Sequence, residues 1–108
     1  MGMAGVRLPV TRQGARHARH LFTVWIENGR RDAVIKGLRD RAIGAMVNYD
    51  AIHPQTVFRE RLGTRIGDFP NAERIGTETI SLPLHARLDR DAVDDVVDAL
   101  RAILDEAR

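Results

Sequence analysis

Residues 67–85 read GDFPNAERIGTETISLPLH, and this stretch constrains the fold more tightly than any other part of the chain. Pro70 stands where proline is favoured, in the first turn of a helix, and apolar residues follow it at helical spacing (Ala72, Ile75 and Ile80). The second proline of the stretch cannot continue a helix, and the residue before a proline is biased toward extended backbone. The pattern therefore predicts a helix from Pro70 that carries Ile80, followed by an extended segment over Ser81–Leu84.

Upstream, Leu21–Ile26 is apolar on both alternating faces apart from Thr23, which is typical of a strand covered on two sides. A turn at Asn28-Gly29 follows. Over Arg31–Ala42 the apolar residues then recur at helical spacing (Val34, Ile35, Leu38 and Ala42), which predicts a helix. Ala45–Tyr49 is predicted to be a short second strand.

Two more helices are predicted in the remainder of the chain. Pro54–Leu62 forms one, with three apolar side chains directed inward (Val57, Phe58 and Leu62). The last helix begins after Asp89, whose carboxylate can accept backbone hydrogen bonds there. It carries one continuous apolar stripe (Val93, Val96, Val97, Leu100, Ile103 and Leu104). No linker divides the chain, so we expect a basic leader over residues 1–19 and a single domain over residues 20–108.

The amino-acid composition restricts the classes of protein to which this chain can belong. A chain of 108 residues without cysteine suits one domain with a modest core and excludes disulfides and thiolate metal sites. No run of about 20 apolar residues could cross a membrane, so a cytoplasmic protein is expected. The net charge of +2 comes from arginines scattered along the chain, which disfavours a nucleic-acid groove. Only the leader is one-sidedly basic, whereas Asp89–Glu106 is acidic.

Four stretches resemble, in order, the C-terminal part of the DegT/DnrJ/StrS family of nucleotide-sugar aminotransferases. They are GDFPNAERIGTETISLPLH, LPVTRQGARHARHLFTVWI (residues 8–26), AIGAMVNYDAIH (residues 42–53) and LDRDAVDDVVDALRAI (residues 88–103). The resemblance covers roughly residues 6–104. It implies an α/β fold in two layers (α+β), with a small mixed or antiparallel sheet packed by helices. That fold is equivalent to the small domain of a fold-type I aminotransferase.

The resemblance also implies aminotransferase chemistry whose catalytic residues lie in another domain of the enzyme. Family members use pyridoxal phosphate, which a lysine of a larger N-terminal domain holds as a Schiff base, and this chain is expected to begin after that domain. Lys36 is the one lysine of the sequence and lies on an arginine-rich predicted helix, as an ordinary solvated residue would. We therefore expect no catalytic and no cofactor-binding residue in this chain, and no activity from it alone.

Although no catalytic or cofactor-binding residue is expected, the resemblance implies substrate-binding residues in this chain. The family segment that reaches the nucleotide-sugar matches Asn48, Tyr49 and His53, and both a tyrosine and a histidine suit recognition of a polar sugar. Two structural alternatives stay open, namely that Tyr49 is a rim residue of the sheet and that His53 caps the helix after it. Asp50 departs from the family, because many relatives carry arginine there, which puts retention of the same substrate in question.

The remaining histidines give weaker signals. His17 and His20 are three residues apart, but no third ligand accompanies them, so a metal site is not expected. By resemblance, His20 matches a histidine that opens the first strand and serves a structural or interface role. His85 is interpreted as a surface turn residue.

Three hypotheses follow for the molecule as a whole. The first is a C-terminal fragment of a polysaccharide-pathway aminotransferase, which pairs with a chain bearing the pyridoxal-phosphate domain or forms a homo-oligomer. The second is a free-standing module that binds a nucleotide-sugar or a full-length paralogue. The third, which the scattered charge disfavours, is a basic domain that binds nucleic acid and would lose affinity steeply with added salt.

Overall fold

A computed structural model describes residues 2–106, so the first residue of the leader and the last two of the domain lie outside the described residues. Seven elements occur in this order: β1 (Val6–Arg7), β2 (Phe22–Ile26), α1 (Arg31–Asp40), α2 (Thr56–Leu62), α3 (Pro70–Glu78), β3 (Thr79–Leu82) and α4 (Arg90–Glu106). The strands form one sheet in the order β1-β2-β3, and both pairings are antiparallel. This confirms the expected α/β fold and fixes its sheet as antiparallel.

The centre of the core lies where β2 meets β3, as the apolar run of β2 predicts. Val24 pairs with Ile80, and both are almost completely buried. Side chains of α1 and α4 cover this part of the sheet (Val34, Ile35, Leu38, Leu100, Ile103 and Leu104). Asp89 caps α4 as predicted, since its Oδ1 accepts a hydrogen bond of 2.8 Å from the backbone N–H of Ala92.

Three local predictions were wrong, and in the first a distant partner overrode the local pattern. The helix from Pro70 ends at Glu78, and Ile80 lies in β3, where pairing with β2 buries it fully. Ala45–Tyr49 forms only one bridge, between Met46 and Ser81, instead of a strand. On α2, Val57 and Leu62 are exposed rather than inward, and Leu62 keeps 70% of its surface.

The leader contributes a strand that the sequence did not predict. Val6 pairs with Ile26 and Arg7 pairs with Trp25, so β1 forms the edge of the sheet. Gly5 reinforces this edge, because its carbonyl accepts a hydrogen bond of 3.0 Å from the backbone N–H of Glu27. From residue 7 to residue 20 every side chain is exposed, so only the first part of the leader is integrated into the fold.

Arg31 joins α1 to the point where α3 becomes β3. Its guanidinium is buried, and Nη1 donates hydrogen bonds to the carbonyl oxygens of Gly76 (2.7 Å) and Thr79 (3.2 Å). These are carbonyls at the end of a helix, where intrahelical partners run out. The side chain of Asp32 completes the arrangement with a contact of 2.6 Å to Nε of Arg31. This cluster thus fixes the place at which the predicted helix is cut short.

Candidate functional site

One isolated β-bridge joins the segment between α1 and α2 to the sheet. Met46 and Ser81 exchange two backbone hydrogen bonds, of 3.3 Å and 2.8 Å. Ala45 is buried just before this bridge, and Asn48 follows two residues after it. The bridge therefore sets the position of the candidate substrate residues relative to the end of β3.

Asn48 lines an open recess of about 580 Å³. The recess is also lined by residues from before β2, from the last turn of α1, from the segment after α1, from β3 and from the chain after β3 (His20, Leu21, Arg39, Gly44, Ala45, Met46, Ser81, Leu82, Pro83 and Leu84). The amide oxygen Oδ1 of Asn48 is buried and lacks a hydrogen-bond partner among residues 2–106. An unsatisfied buried acceptor is costly, so a donor group that reached this atom would stabilise it.

Tyr49 lies on the surface beside this recess rather than in it. The tyrosine keeps 74% of its surface exposed, and the peptide bond that joins it to Asn48 is cis. A flat ring with a hydroxyl tip in this position presents a large area to anything that docks there. Such exposure is compatible with either interpretation of Tyr49, as a rim residue or as a substrate contact.

His53 occupies different surroundings. Only 5% of its surface is exposed, and its Nε2 lies 2.7 Å from Oε1 of Glu73. The edge of its ring meets the ring of Phe69 at a centroid distance of 5.0 Å, and its carbonyl accepts a hydrogen bond of 2.7 Å from Oγ1 of Thr64. The cap of α2 is Gln55, without a side-chain capping bond, so His53 does not serve as the cap.

The structure thus separates the three predicted residues. Asn48 lines the recess described above, Tyr49 stands at the surface, and His53 belongs to a second depression with Ile52 and Phe69. A histidine that is buried and hydrogen-bonded in this way holds the segment in place more readily than it reaches a ligand.

Glu73 is the residue of this region that sequence reasoning missed. Its Oε1 accepts hydrogen bonds from the backbone N–H of Gly67 and from the ring of His53. The N–H of Gly67, and after it the hydrogen bond with His53, hold the pKa of the Glu73 carboxyl below its usual range. The sequence motif FPNAE could have indicated Glu73, since an acidic residue in the first turn of a helix often binds backbone N–H groups.

Lys36 does not fit a Schiff-base role. Its side chain is 77% exposed, and its Nζ lies 2.6 Å from Oδ2 of Asp40, one turn further along α1. A lysine that reacts with pyridoxal phosphate needs a desolvated or otherwise activated amine, which this exposed pair does not supply. The residues described here therefore do not fit the covalent anchor of that cofactor.

Metal and membrane roles find no support in the part of the chain that the structure describes. Residues 2–106 contain no group of three or more histidines and acids that could hold a metal ion. Nδ1 of His17 instead accepts a hydrogen bond of 2.9 Å from the backbone N–H of Arg19. None of the helices within residues 2–106 combines the length and the apolar character needed to span a bilayer.

Comparison with known proteins gives a consistent result. Residues 2–101 match the sequence model of the DegT/DnrJ/EryC1/StrS aminotransferase family. A dTDP-3-amino-3,4,6-trideoxy-alpha-D-glucose transaminase of Micromonospora megalomicea is 35% identical over 102 residues, which are 93% of this chain and 26% of the relative.

Solved structures of aminotransferases have the same fold. The crystal structure of the aminotransferase TlmJ from Streptoalloteichus hindustanus gives a TM-score of 0.84 at 28% identity, over 98% of this chain and 28% of that one. The structure of DesV from S. venezuelae, in complex with a ketimine intermediate, gives a TM-score of 0.84 at 31% identity, over 94% and 27%. The chain therefore spans only about a quarter of the length of the proteins it matches.

Proposed function

The chain belongs to the DegT/DnrJ/EryC1/StrS aminotransferase family, and from that premise we propose that it recognises the substrate as the C-terminal small domain of a nucleotide-sugar aminotransferase. One observation carries the proposal: 94% of the chain superposes on a crystallised family member with a TM-score of 0.84, yet covers only 27% of it. The complete enzyme would transfer an amino group from a donor such as glutamate to a keto-sugar nucleotide.

In this proposal the covalent chemistry is left to residues outside the chain. Pyridoxal phosphate would be anchored by a lysine of another domain, because Lys36 is exposed and paired with Asp40. The partner that supplies this domain would be a separate chain or a larger form of the same protein. No membrane or nucleic acid takes part, and a cytoplasmic location belongs to the same proposal.

The contribution of this chain would be made by the segment around Asn48. The buried Oδ1 of Asn48 offers an acceptor, and the exposed ring of Tyr49 offers a surface for a sugar or a base. His53 takes part indirectly, because its hydrogen bond with Glu73 ties this segment to α3. Asp50 is exposed and acidic at a position where many relatives carry arginine, so we propose a substrate that differs in its charged part.

A chimera tests the proposal. The chain would replace the matching 27% of DesV, and transamination of a nucleotide keto-sugar would be measured with pyridoxal phosphate and glutamate. We expect turnover by the chimera and none by the 108-residue chain alone. Two variants, Lys36→Ala and a lysine replacement in the DesV portion, serve as matched controls, and only the second should abolish activity.

Three results would contradict the proposal. Turnover by the isolated chain would place catalytic residues within it. Selective labelling of Lys36, after pyridoxal phosphate and borohydride, would give that lysine the role denied to it above. A chimera that folds and binds the cofactor but stays inactive would count against a substrate-recognition role.

A second function is favoured by the closed core of the chain. Val24, Ile26, Leu38 and Ile80 are buried by contacts within residues 2–106 alone, which suits a module that folds without a partner domain. Such a module would bind a nucleotide-sugar or a paralogue with no cofactor present. Isothermal titration of the chain with a full-length family aminotransferase tests it, and measurable affinity would favour the module.

A further inference from the structure

An apolar groove of about 250 Å³ lies between the first turns of α4 and the chain that leaves β3. Leu84 and Val93 each keep more than two-fifths of their surface exposed, so the groove is open to solvent. Apolar surface that a fold leaves open is often a site of interaction. All the residues that line this α4 groove are apolar (Phe22, Leu82, Pro83, Leu84, Leu88, Val93, Val96 and Val97).

The helix that forms one wall of the α4 groove is strongly acidic over the same turns. From residue 89 to residue 98 there are five exposed aspartates and one exposed arginine (Asp89, Asp91, Asp94, Asp95, Asp98 and Arg90). Asp91, Asp94 and Asp95 make no hydrogen bond or ion pair with any residue from 2 to 106. Uncompensated negative charge therefore lies on the same turns of α4 as the apolar lining.

The leader that joins β1 to β2 has the opposite charge. Residues 8–21 form neither a helix nor a strand, and connections of this length without regular structure are uncommon and usually functional. Residues 7–20 are all exposed and contain four arginines and no acid. The side chains of Arg12 and Arg16 make no hydrogen bond or ion pair within the described part of the chain. They are thus available to an acidic surface.

The leader also carries an apolar pair just before these arginines. Leu8 and Val10 are two residues apart, so an extended backbone presents both side chains on one side. Val10 keeps 95% of its surface exposed, and Leu8 keeps 57%. The leader therefore combines an apolar part with a basic part, as the α4 groove combines an apolar lining with acidic residues.

We propose that the leader of a second copy of this chain docks in the α4 groove. Leu8 and Val10 would contact the apolar lining, and Arg12 and Arg16 would pair with Asp94 and Asp95. The order β1-β2-β3 favours another copy over the chain's own leader, because the leader starts at the edge of the sheet opposite to β3. Within one chain the leader stays exposed and the groove stays open.

Two copies would make this contact twice. Each copy has both a leader and a groove, so a two-fold axis between them forms two equal contacts. The second contact closes within a pair that the first has already joined, which strengthens the whole dimer. None of the residues assigned to the contact on the leader or on the acidic face of α4 lines the Asn48 recess, so the inference goes beyond the proposed function.

Sedimentation velocity tests the docking on the 108-residue chain. The protein would be measured from low to high micromolar concentration, in low salt and in high salt. We expect an equilibrium between monomer and dimer that shifts toward dimer as the concentration rises. High salt should weaken the dimer, because ion pairs between exposed groups are screened.

Charge reversal identifies the surfaces. Arg12→Glu with Arg16→Glu makes the leader acidic, and Asp94→Lys with Asp95→Lys makes the groove side of the contact basic. Each double variant alone should dimerise about tenfold more weakly or worse, because like charges then meet in both contacts. Mixed in equal amounts, the two variants should form a heterodimer close in affinity to the original, since opposite charges meet again in both contacts.

Two further variants separate charge from apolar contact. Arg59→Glu with Arg61→Glu is the matched control, because both arginines are exposed on α2 and neither lines the groove. Its Kd for dimerisation should stay within about twofold of the original. Leu8→Ser changes no charge and should weaken the dimer about tenfold, since burial of part of a leucine contributes on that order. Circular dichroism would verify that every variant is folded.

The outcomes decide the inference. A salt-sensitive dimer that each charge reversal weakens, and that the mixture restores, supports it. A chain that stays monomeric at every concentration overturns it, including the case in which NMR finds the leader in the groove of its own chain. A dimer that neither reversal weakens, or a mixture that restores nothing, places the contact elsewhere and overturns it. A dimer unaffected by Leu8→Ser overturns the docking of the leader in the apolar groove.

Discussion

Replacing Gly76 by alanine should destabilise the protein and displace the segment that carries the candidate site. Gly76 lies in α3 and is buried against the backbone that follows Tyr49. A Cβ atom at this position would lie 2.8 Å from the backbone nitrogen of Ala51, 3.2 Å from Cα of Asp50 and 3.4 Å from its carbonyl carbon. All three atoms are backbone atoms, which cannot rotate away as a side-chain tip could.

Two opposing effects set the magnitude. Alanine in a helix interior is favoured over glycine by about 1 kcal/mol. Overpacking in a closely packed region costs about 1 to 3 kcal/mol, and the short approach to backbone places this site at the upper end. We therefore expect a net loss of about 2 kcal/mol in the free energy of unfolding. For a domain of this size that corresponds to a fall in Tm of roughly 8 °C or more.

Urea and thermal unfolding followed by circular dichroism would measure the loss, and amide spectra would locate it. We expect the largest shifts at Asp50 and Ala51. Gly44→Ala is the matched control, because a Cβ atom at Gly44 meets nothing within 4 Å. Its effect should stay within about 0.5 kcal/mol. If Gly76→Ala were as stable as the original, or if both variants lost the same amount, the close-packing argument would be wrong.

Two further predictions concern the end of α1 and the acid of α3. Ala42 has a φ of +58°, so Ala42→Gly should raise stability by about 1 kcal/mol in urea unfolding, whereas the helical control Ala33→Gly should lower it by a similar amount. Equal signs for the two would refute this. The Glu73 pKa lies below its ordinary value of 4.5, so ionised Glu73 stabilises the fold above that pH, and this contribution is lost as the pH falls through the folded-state pKa. Glu73→Gln should therefore reduce the drop in Tm between about pH 5 and pH 3; an unchanged profile would mean that its bonds to Gly67 and His53 contribute little.

The candidate site was predictable only in part. The sequence motif shared with the family indicated Asn48, Tyr49 and His53 as candidates. The motif did not show that Asn48 lines a recess while His53 is buried against Glu73. Whether these residues bind substrate remains a prediction. Arg39 gave no signal in the sequence, because a charged residue near the end of a helix is ordinary and only the neighbouring elements make it part of a recess.

The sequence by itself determined the elements whose causes are local. The course of α1 and α4 follows from apolar residues repeated every three to four positions, and the start of α4 follows from a capping carboxylate three residues before the N–H it binds. The central strand follows from six consecutive residues of apolar and β-branched character. The sequence similarity to the family additionally predicts the order of these elements.

Tertiary structure alone decided the features that need a distant partner. Ile80 has helical spacing with its predecessors, yet pairing with Val24 and the hydrogen bonds from Arg31 end α3 before it. The edge strand at Val6 exists because Ile26 lies opposite. In each case the free energy comes from burial and hydrogen bonds between residues far apart in sequence, which no local pattern encodes.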